Sequence, residues 1–233
     1  MEQLCGFMLL FMVFLVAKYG VPQVIAAETV HSTKVKTEDK PVVVIDVGHG
    51  GSDPGKVGVD GCLEKDINLQ IALQLREYLE QSDLNVVMTR EEDVALDDEG
   101  YGSKKMADMR RRCEIIEENN ADFVVSIHQN SYHEEYVSGG QVFYYAESEE
   151  GRRLAEILQS RFTYVLGEEN RRLAKPNGSY YLLRNVKCPI VIVECGFLSN
   201  WREAALLQQE DYQDRMAWTI HMGVMEYLNT YKM

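Results

Sequence analysis

Four residues of this chain have side chains suited to binding a metal ion or moving a proton. Three of them follow short apolar runs: Val42 to Val47 (VVVIDV) leads into Gly48 and His49, Phe123 to Ile127 into His128, and Ile190 to Val193 into Glu194. The fourth, Glu64, sits in the loop beyond His49, just ahead of a helical pattern. Two imidazoles and a carboxylate are a ligand set that hydrolytic zinc sites use, with a fourth position left for water. Such a set leaves the ion a net positive charge, enough to bring the water's pKa towards about 7. A second carboxylate off the metal then takes the water's proton and returns it to a leaving amine. Spacing alone does not say which glutamate has which task. Taken singly, each residue reads equally as a core or rim residue, as His31, His133 and His221 do.

For these four to meet, their runs must be neighbouring strands. β-branched apolar runs at 42–47, 84–88, 123–127 and 190–193 read as strands, and 141–145 as a weaker one. Helical spacing marks 66–80 (Ile67, Ile71, Leu75, Tyr78), 104–119, a segment through Leu154, Ile157, Leu158, Phe162 and Val165, and 211–228. Tyr180 to Leu183 reads as a short edge strand, and 91–103 as an acidic loop. Strands alternating with helices predict an α/β fold: a mostly parallel central sheet flanked by helices on both faces. Ligands of such sheets gather at the carboxyl edge of the strands, so the metal site is expected there.

The run LCGFMLLFMVFLVA at 4–17 is short for a membrane span, and Val24 to Ala27 offers small residues for cleavage. Residues 1–27 are therefore expected to be a signal peptide or N-terminal anchor, although the segment before the run has Glu2 and no Lys or Arg. A polar linker is expected over 28–40 and a catalytic domain over 41–233, exported in either case. The formal charge is −13, from 24 basic and 37 acidic residues, which excludes nucleic acid as a partner because phosphate binding needs a basic surface. Cys62, Cys113, Cys188 and Cys195 form no CxxC pair and read mainly as small buried hydrophobes, with one bridge left open. GGSDPGK at 50–56 fits the core of a phosphate-binding loop. Val57 stands where the magnesium-binding Ser or Thr belongs, and Pro54 removes a backbone donor, so the nucleotide reading fails.

Five segments in order, IDVGHGGSDPG at 45–55, EKDINL at 64–69, MTR at 88–90, ADFVVSIHQN at 121–130 and VIVECGFLSN at 191–200, resemble the zinc-dependent N-acetylmuramoyl-L-alanine amidases of the amidase 3 family, from Val42 to Leu228. The resemblance implies one Zn²⁺ held by His49, Glu64 and His128, with Glu194 as the catalytic carboxylate. It also implies Arg184, in LLRN, and Asn130 as substrate-binding residues; a surface ion pair and a turn are their plainer readings. The implied reaction hydrolyses the amide between the lactyl group of N-acetylmuramic acid and L-alanine of the stem peptide. No wall-binding repeat appears in these 233 residues, which is similar to spore cortex amidases of the CwlD type. That likeness implies action in the cell wall or forespore intermembrane space during cortex maturation and germination, on peptidoglycan glycan strands with stem peptides, with an unidentified accessory activator. The rivals are another cell-wall zinc peptidase such as a carboxypeptidase, disfavoured because His49 and Glu64 are 15 apart rather than in HxxE, and a non-catalytic wall-binding module.

Overall fold

The structure, a computed structural model, describes residues 40–96, 103–167 and 170–231. The expected leader, the expected linker apart from Lys40, and positions 97–102 of the acidic loop lie outside the described residues. The elements are β1 (Val42–Val47), α1 (Glu64–Gln81), β2 (Asn85–Met88), α2 (Lys104–Glu118), β3 (Phe123–Asn130), β4 (Gln141–Tyr144), α3 (Glu149–Leu166), β5 (Lys175–Pro176), α4 (Tyr181–Asn185), β6 (Ile190–Phe197), α5 (Trp201–Leu207) and α6 (Glu210–Tyr231). They form a six-stranded sheet of order β2-β1-β3-β6-β4-β5. Every pairing is parallel except that of β4 with β6. The expected α/β class and mostly parallel sheet are what the chain adopts.

The side-chain period of two divides each central strand between two cores. Val43, Ile45, Val47, Val125, Ile127, Val191 and Val193 join the larger core, which α1, α3 and α6 cover with Leu75, Leu158 and Ile220 among others. Val44, Val124, Ile190 and Ile192 face a smaller core closed by Ile116 of α2 and by Leu182 and Leu183 of α4. Each fully buried Val, Ile or Leu contributes roughly 1.5–3 kcal/mol, which explains why the strands read as continuous apolar runs. The same alternation sends Asp46, Ser126, His128 and Glu194 to the smaller, thinly covered face. The polar site and the apolar core therefore share strands without sharing a side.

Two expectations about boundaries change. His128 and Glu194 lie inside β3 and β6, not at their ends, because the strands continue to Asn130 and Phe197. Tyr180 to Leu183 is no edge strand. The Asn177 side chain accepts from the N–H groups of Ser179 (2.7 Å) and Tyr180 (3.1 Å), and the chain turns from there into α4. A short apolar run has no period by which to choose between strand and helix. The short helix α5, capped by Asn200 on the Glu203 N–H, was not anticipated from the sequence.

A buried ion pair ties β1 to α2. Arg112 donates to Asp46 Oδ1 at 2.7 Å, and both side chains are 0% exposed. Asp46 also accepts from Thr89 Oγ1 (3.1 Å) and Ser126 Oγ (2.5 Å), so its lone pairs are well used. Burial pushes the Asp46 carboxyl up, but the Arg112 guanidinium and the Ser126 hydroxyl outweigh it and hold it below the usual carboxylate range. A group lowered in this way stabilises the fold fully above its unfolded pKa, about 3.9, and loses that contribution as pH falls through the folded value. Arg112→Met, which strands a buried charge, should cost about 3–5 kcal/mol in urea denaturation. Asp46→Asn should flatten the acid limb of stability below about pH 4, read by circular dichroism; an unchanged limb would remove the pair from this role.

Candidate metal centre and cleft

After β1 the chain turns sharply at Gly48, His49, Gly50 and Gly51. His49 holds φ 61, a left-handed conformation that costs a non-glycine residue about 1–2 kcal/mol. Its surroundings fix it there. The His49 carbonyl accepts from Arg90 Nε at 2.7 Å and from Arg112 Nη2 at 2.9 Å. The same two arginines donate to the carbonyls of Val47 and Gly48. Thr89 accepts from the Val47 N–H at 2.9 Å. The MTR segment and Arg112 thus act as a clamp on the loop that carries the first histidine.

The remaining groups arrive from three directions. His128 of β3 stands in register with Glu194 of β6, so both project from the same face. A register shift between His128 and Asn130 bends β3 at this point. Glu64 opens α1 and is 4% exposed. Its Oε1 lies 2.9 Å from His128 Nδ1 and 3.2 Å from His49 Nε2, and also accepts from the Gln129 N–H at 3.1 Å. Its Oε2 accepts from the Lys56 N–H at 2.7 Å. The two rings meet edge to face with centroids 5.0 Å apart. Gly48 permits this approach, since a Cβ there would stand 2.3 Å from the His128 ring.

This donor set fits a single zinc ion. One ligand atom from each of His49, Glu64 and His128 lies within 4.8 Å of the others. A tetrahedral ion with bonds of about 2.0–2.2 Å holds its ligand atoms roughly 3.3–3.6 Å apart, close to the separations seen. Asp53 Oδ2, 2.9 Å from His49 Nδ1, fixes the ring so that Nε2 faces the cluster, as carboxylates behind metal-bound histidines do. The electrostatics agree. Burial works against a charged His49, yet Glu64 and Asp53 hold its pKa up at about 9. Burial likewise opposes the Glu64 carboxylate, and the two imidazoles still hold it well below the carboxylate range. The pocket is built to carry positive charge at these atoms.

Glu194 is different. It is 6% exposed, and burial pushes its carboxyl up to about 7. Its Oε2 is buried without a hydrogen-bond partner, and the nearby Tyr180 hydroxyl works against the rise of the carboxyl pKa. Burial, then the Glu194 charge, raises Tyr180 to about 12, so the phenol stays a donor. A carboxyl poised near neutrality with one bare oxygen suits proton transfer.

These groups line a cleft of about 690 Å³ walled by Met106 and Met109 of α2, Tyr181 and Leu182 of α4, and Ile192, a size typical of ligand pockets. Asn130 lines it as well, its Oδ1 accepting from the Ser131 N–H at 2.8 Å. Arg184 does not line it: α4 turns that side chain out to solvent. Nothing in the local pattern marks Arg112, hidden in an RRR run that looks like a solvated helix face, or Tyr180. His133 is exposed, whereas His221 packs between α1 and α6 against Tyr78 and Trp218. The four cysteines within the described residues are free.

An α/β sheet with a two-histidine, one-glutamate cluster and a separate poised carboxyl in one cleft defines a hydrolase with a candidate metal centre. The family model for N-acetylmuramoyl-L-alanine amidases of the amidase 3 type matches residues 43–226, and the chain belongs to that family of peptidoglycan amidases. The germination-specific N-acetylmuramoyl-L-alanine amidase of Bacillus subtilis is 39% identical over 189 residues, covering 80% of this chain and 79% of that protein. The CwlD amidase of Clostridioides difficile, solved in complex with the GerS lipoprotein, matches with TM-score 0.79 and 39% identity over 82% of this chain and all of that one. The catalytic domain of CwlV from Bacillus (Paenibacillus) polymyxa matches with TM-score 0.70 and 33% identity, over 81% of this chain and 98% of that domain.

Gly48→Ala should displace the His128 ring while leaving the core intact. Hydrolysis is expected to fall about 100-fold, as a 1 Å misplacement can cost, with little change in melting temperature. Wild-type activity in a folded Gly48→Ala protein would show that the close approach is dispensable.

Proposed function

We propose that the chain is a zinc-dependent amidase of spore cortex peptidoglycan, with His49, Glu64 and His128 holding one Zn²⁺ and Glu194 as the catalytic carboxylate. The observation that carries this reading is the convergence of His49 Nε2 and His128 Nδ1 on Glu64 Oε1, at 3.2 and 2.9 Å, beside the unpartnered Oε2 of Glu194. Zinc, when bound, supplies Lewis acidity: it polarises the scissile carbonyl and makes water nucleophilic at neutral pH. Glu194 takes the proton from the attacking water and delivers it to the departing L-alanine nitrogen, with a pKa of about 7 suited to both transfers. Tyr180 orients that carboxyl, Asp53 orients His49, and the apolar walls exclude bulk water. Asn130 faces the substrate from the cleft wall. Arg184, exposed on α4, is left with contacts to peptide outside the cleft or with surface ion pairs.

The bond cut joins the lactyl group of N-acetylmuramic acid to L-alanine, and its removal is a step towards muramic-δ-lactam in cortex maturation and germination. Similarity to a germination-specific amidase supports this role. The action of a cell-wall amidase lies outside the cytoplasm, in the wall or forespore intermembrane space, which accords with residues 1–27 as a signal or anchor, 28–40 as a linker and 41–233 as the catalytic domain. An accessory activator protein is part of the proposal, supported by the GerS complex of the C. difficile relative.

Metal analysis combined with mass spectrometry of digested peptidoglycan tests the reading. The expected result is one zinc per chain and new L-alanine N-termini; free terminal amino acids would indicate a carboxypeptidase. Glu194→Gln should keep zinc and lose about 10²- to 10⁴-fold in kcat, whereas His49→Ala should lose both zinc and hydrolysis. Full activity in Glu194→Gln would transfer the proton-carrying role to another group.

A further inference from the structure

Among the described residues, the exposed charged side chains of the cleft are basic, although the chain as a whole is acidic. The sequence carries 37 acidic and 24 basic residues, yet among the described residues lining the cleft the exposed charged side chains are Lys56 and Lys105. The carboxylates of the same cleft are withdrawn into its floor, Glu64 at 4% and Glu194 at 6% exposure. Glu64 is, besides, engaged by two imidazoles.

Both lysines are placed by the metal-site architecture. Lys56 lies in the loop between His49 and Glu64, and its N–H donates to Glu64 Oε2 at 2.7 Å. Its Cα is thereby fixed one hydrogen bond from the cluster, with only the side chain left to move. Lys105 comes from α2 and is within electrostatic reach of Asp53, the carboxylate that bonds His49. Its position is unfavourable for the helix. The positive end of the helix dipole disfavours a cation in the first turn, by tenths of a kcal/mol up to about 1. α1, α3, α5 and α6 carry acids in that turn, whereas α2 and the five-residue α4 have none. A local rule broken on the wall of a functional cleft points to a requirement of the ligand.

We infer that Lys56 and Lys105 form an anion subsite that takes a free carboxylate of the stem peptide, so that the enzyme prefers stems whose second residue keeps its α-carboxylate over stems in which it is amidated. The inference rests on the amidase reading above. In a stem peptide the residue after L-alanine is a glutamate joined onward through its side chain, which leaves its α-carboxyl free or amidated. That carboxyl lies roughly 7 Å from the scissile carbonyl along the extended chain, within reach of a lysine anchored at the cluster. Lysine presents three donors on a flexible stem and accepts a carboxylate without a fixed plane of approach. An amide in its place keeps the shape and loses the charge.

The test uses the full zinc-loaded chain and two muramoyl tetrapeptides that differ only at residue two, D-glutamate with its α-carboxylate free or D-isoglutamine. The wild type is expected to show a KM about fivefold lower for the free acid, the scale of a partly exposed ion pair, with kcat nearly equal. The advantage should shrink at 0.5 M salt, where screening is stronger. Lys56→Met and Lys105→Met should each lose most of it, and the double variant all of it. Lys187→Met, which removes a lysine that does not line the cleft and pairs with Glu117, serves as the charge-matched control and should retain the preference. Equal KM values for the two substrates in the wild type, or a preference that survives the double variant, would overturn the subsite while leaving the amidase intact. If neither substrate yields an L-alanine N-terminus, the amidase reading falls and the subsite with it.

Discussion

Everything in this molecule's chemistry turns on one carboxylate oxygen, Glu64 Oε1, on which two imidazoles from different parts of the chain converge at 2.9 and 3.2 Å. Three groups that each prefer water are held together, with the Glu64 side chain 5% exposed and the His49 and His128 side chains 20% and 19% exposed. Desolvation makes such a cluster costly unless a charge binds between its members. The raised His49 and lowered Glu64 pKa values point the same way, since each group holds its charged form against burial through the other. The helix dipole adds nothing for a cation here, since Glu64 stands at the positive end of α1; the carboxylate itself is what that end favours.

Such a cluster needs a rigid frame, and the frame is largely backbone carbonyls held by arginine. Arg90 and Arg112 together donate to Val47, Gly48 and His49. Their planar forks satisfy several acceptors at once, which lysine in their place does not do. Arg112 also neutralises Asp46, so one guanidinium serves both the sheet and the loop. Burial and the Arg112 charge bring Arg90 down to about 10, still a cation at neutral pH. The strain of His49 at φ 61 is a local cost that this network offsets.

The sheet divides labour between its faces. One face of β1, β3 and β6 is sealed by three long helices, and the other is covered by α2 and the short α4, which leave a cleft open at the carboxyl edge. Because strand neighbours alternate, a one-residue slip of β3 or β6 would bury His128 or Glu194 in the large core and expose valines to the cleft. The apolar pattern that stabilises the fold therefore also fixes the face to which His128 and Glu194 project. The same thin cover leaves Lys56 and Lys105 exposed on the cleft wall of an otherwise acidic protein.

Every strand but the two-residue β5, the long helices and the four residues at the heart of the cleft were legible in the sequence, because period-two and helical apolar patterns are local and because His49, His128 and Glu194 sit close to the ends of recognisable strands, whereas Tyr180 to Leu183 read wrongly as a strand. Ordered motifs from IDVGHGGSDPG to VIVECGFLSN carried the family. Tertiary structure alone decided which groups support them. Arg112 looks solvated in an RRR run until β1 packs against α2 and makes it the partner of Asp46. Tyr180 belongs to a run too short to show a period, and only the Asn177 turn brings its hydroxyl to Glu194. Arg184 carries a motif likeness, yet the pitch of α4 turns it to solvent. Local patterns record the burial each residue requires of its own element; partners that meet across dozens of residues are fixed only when the sheet closes and the helices settle on it.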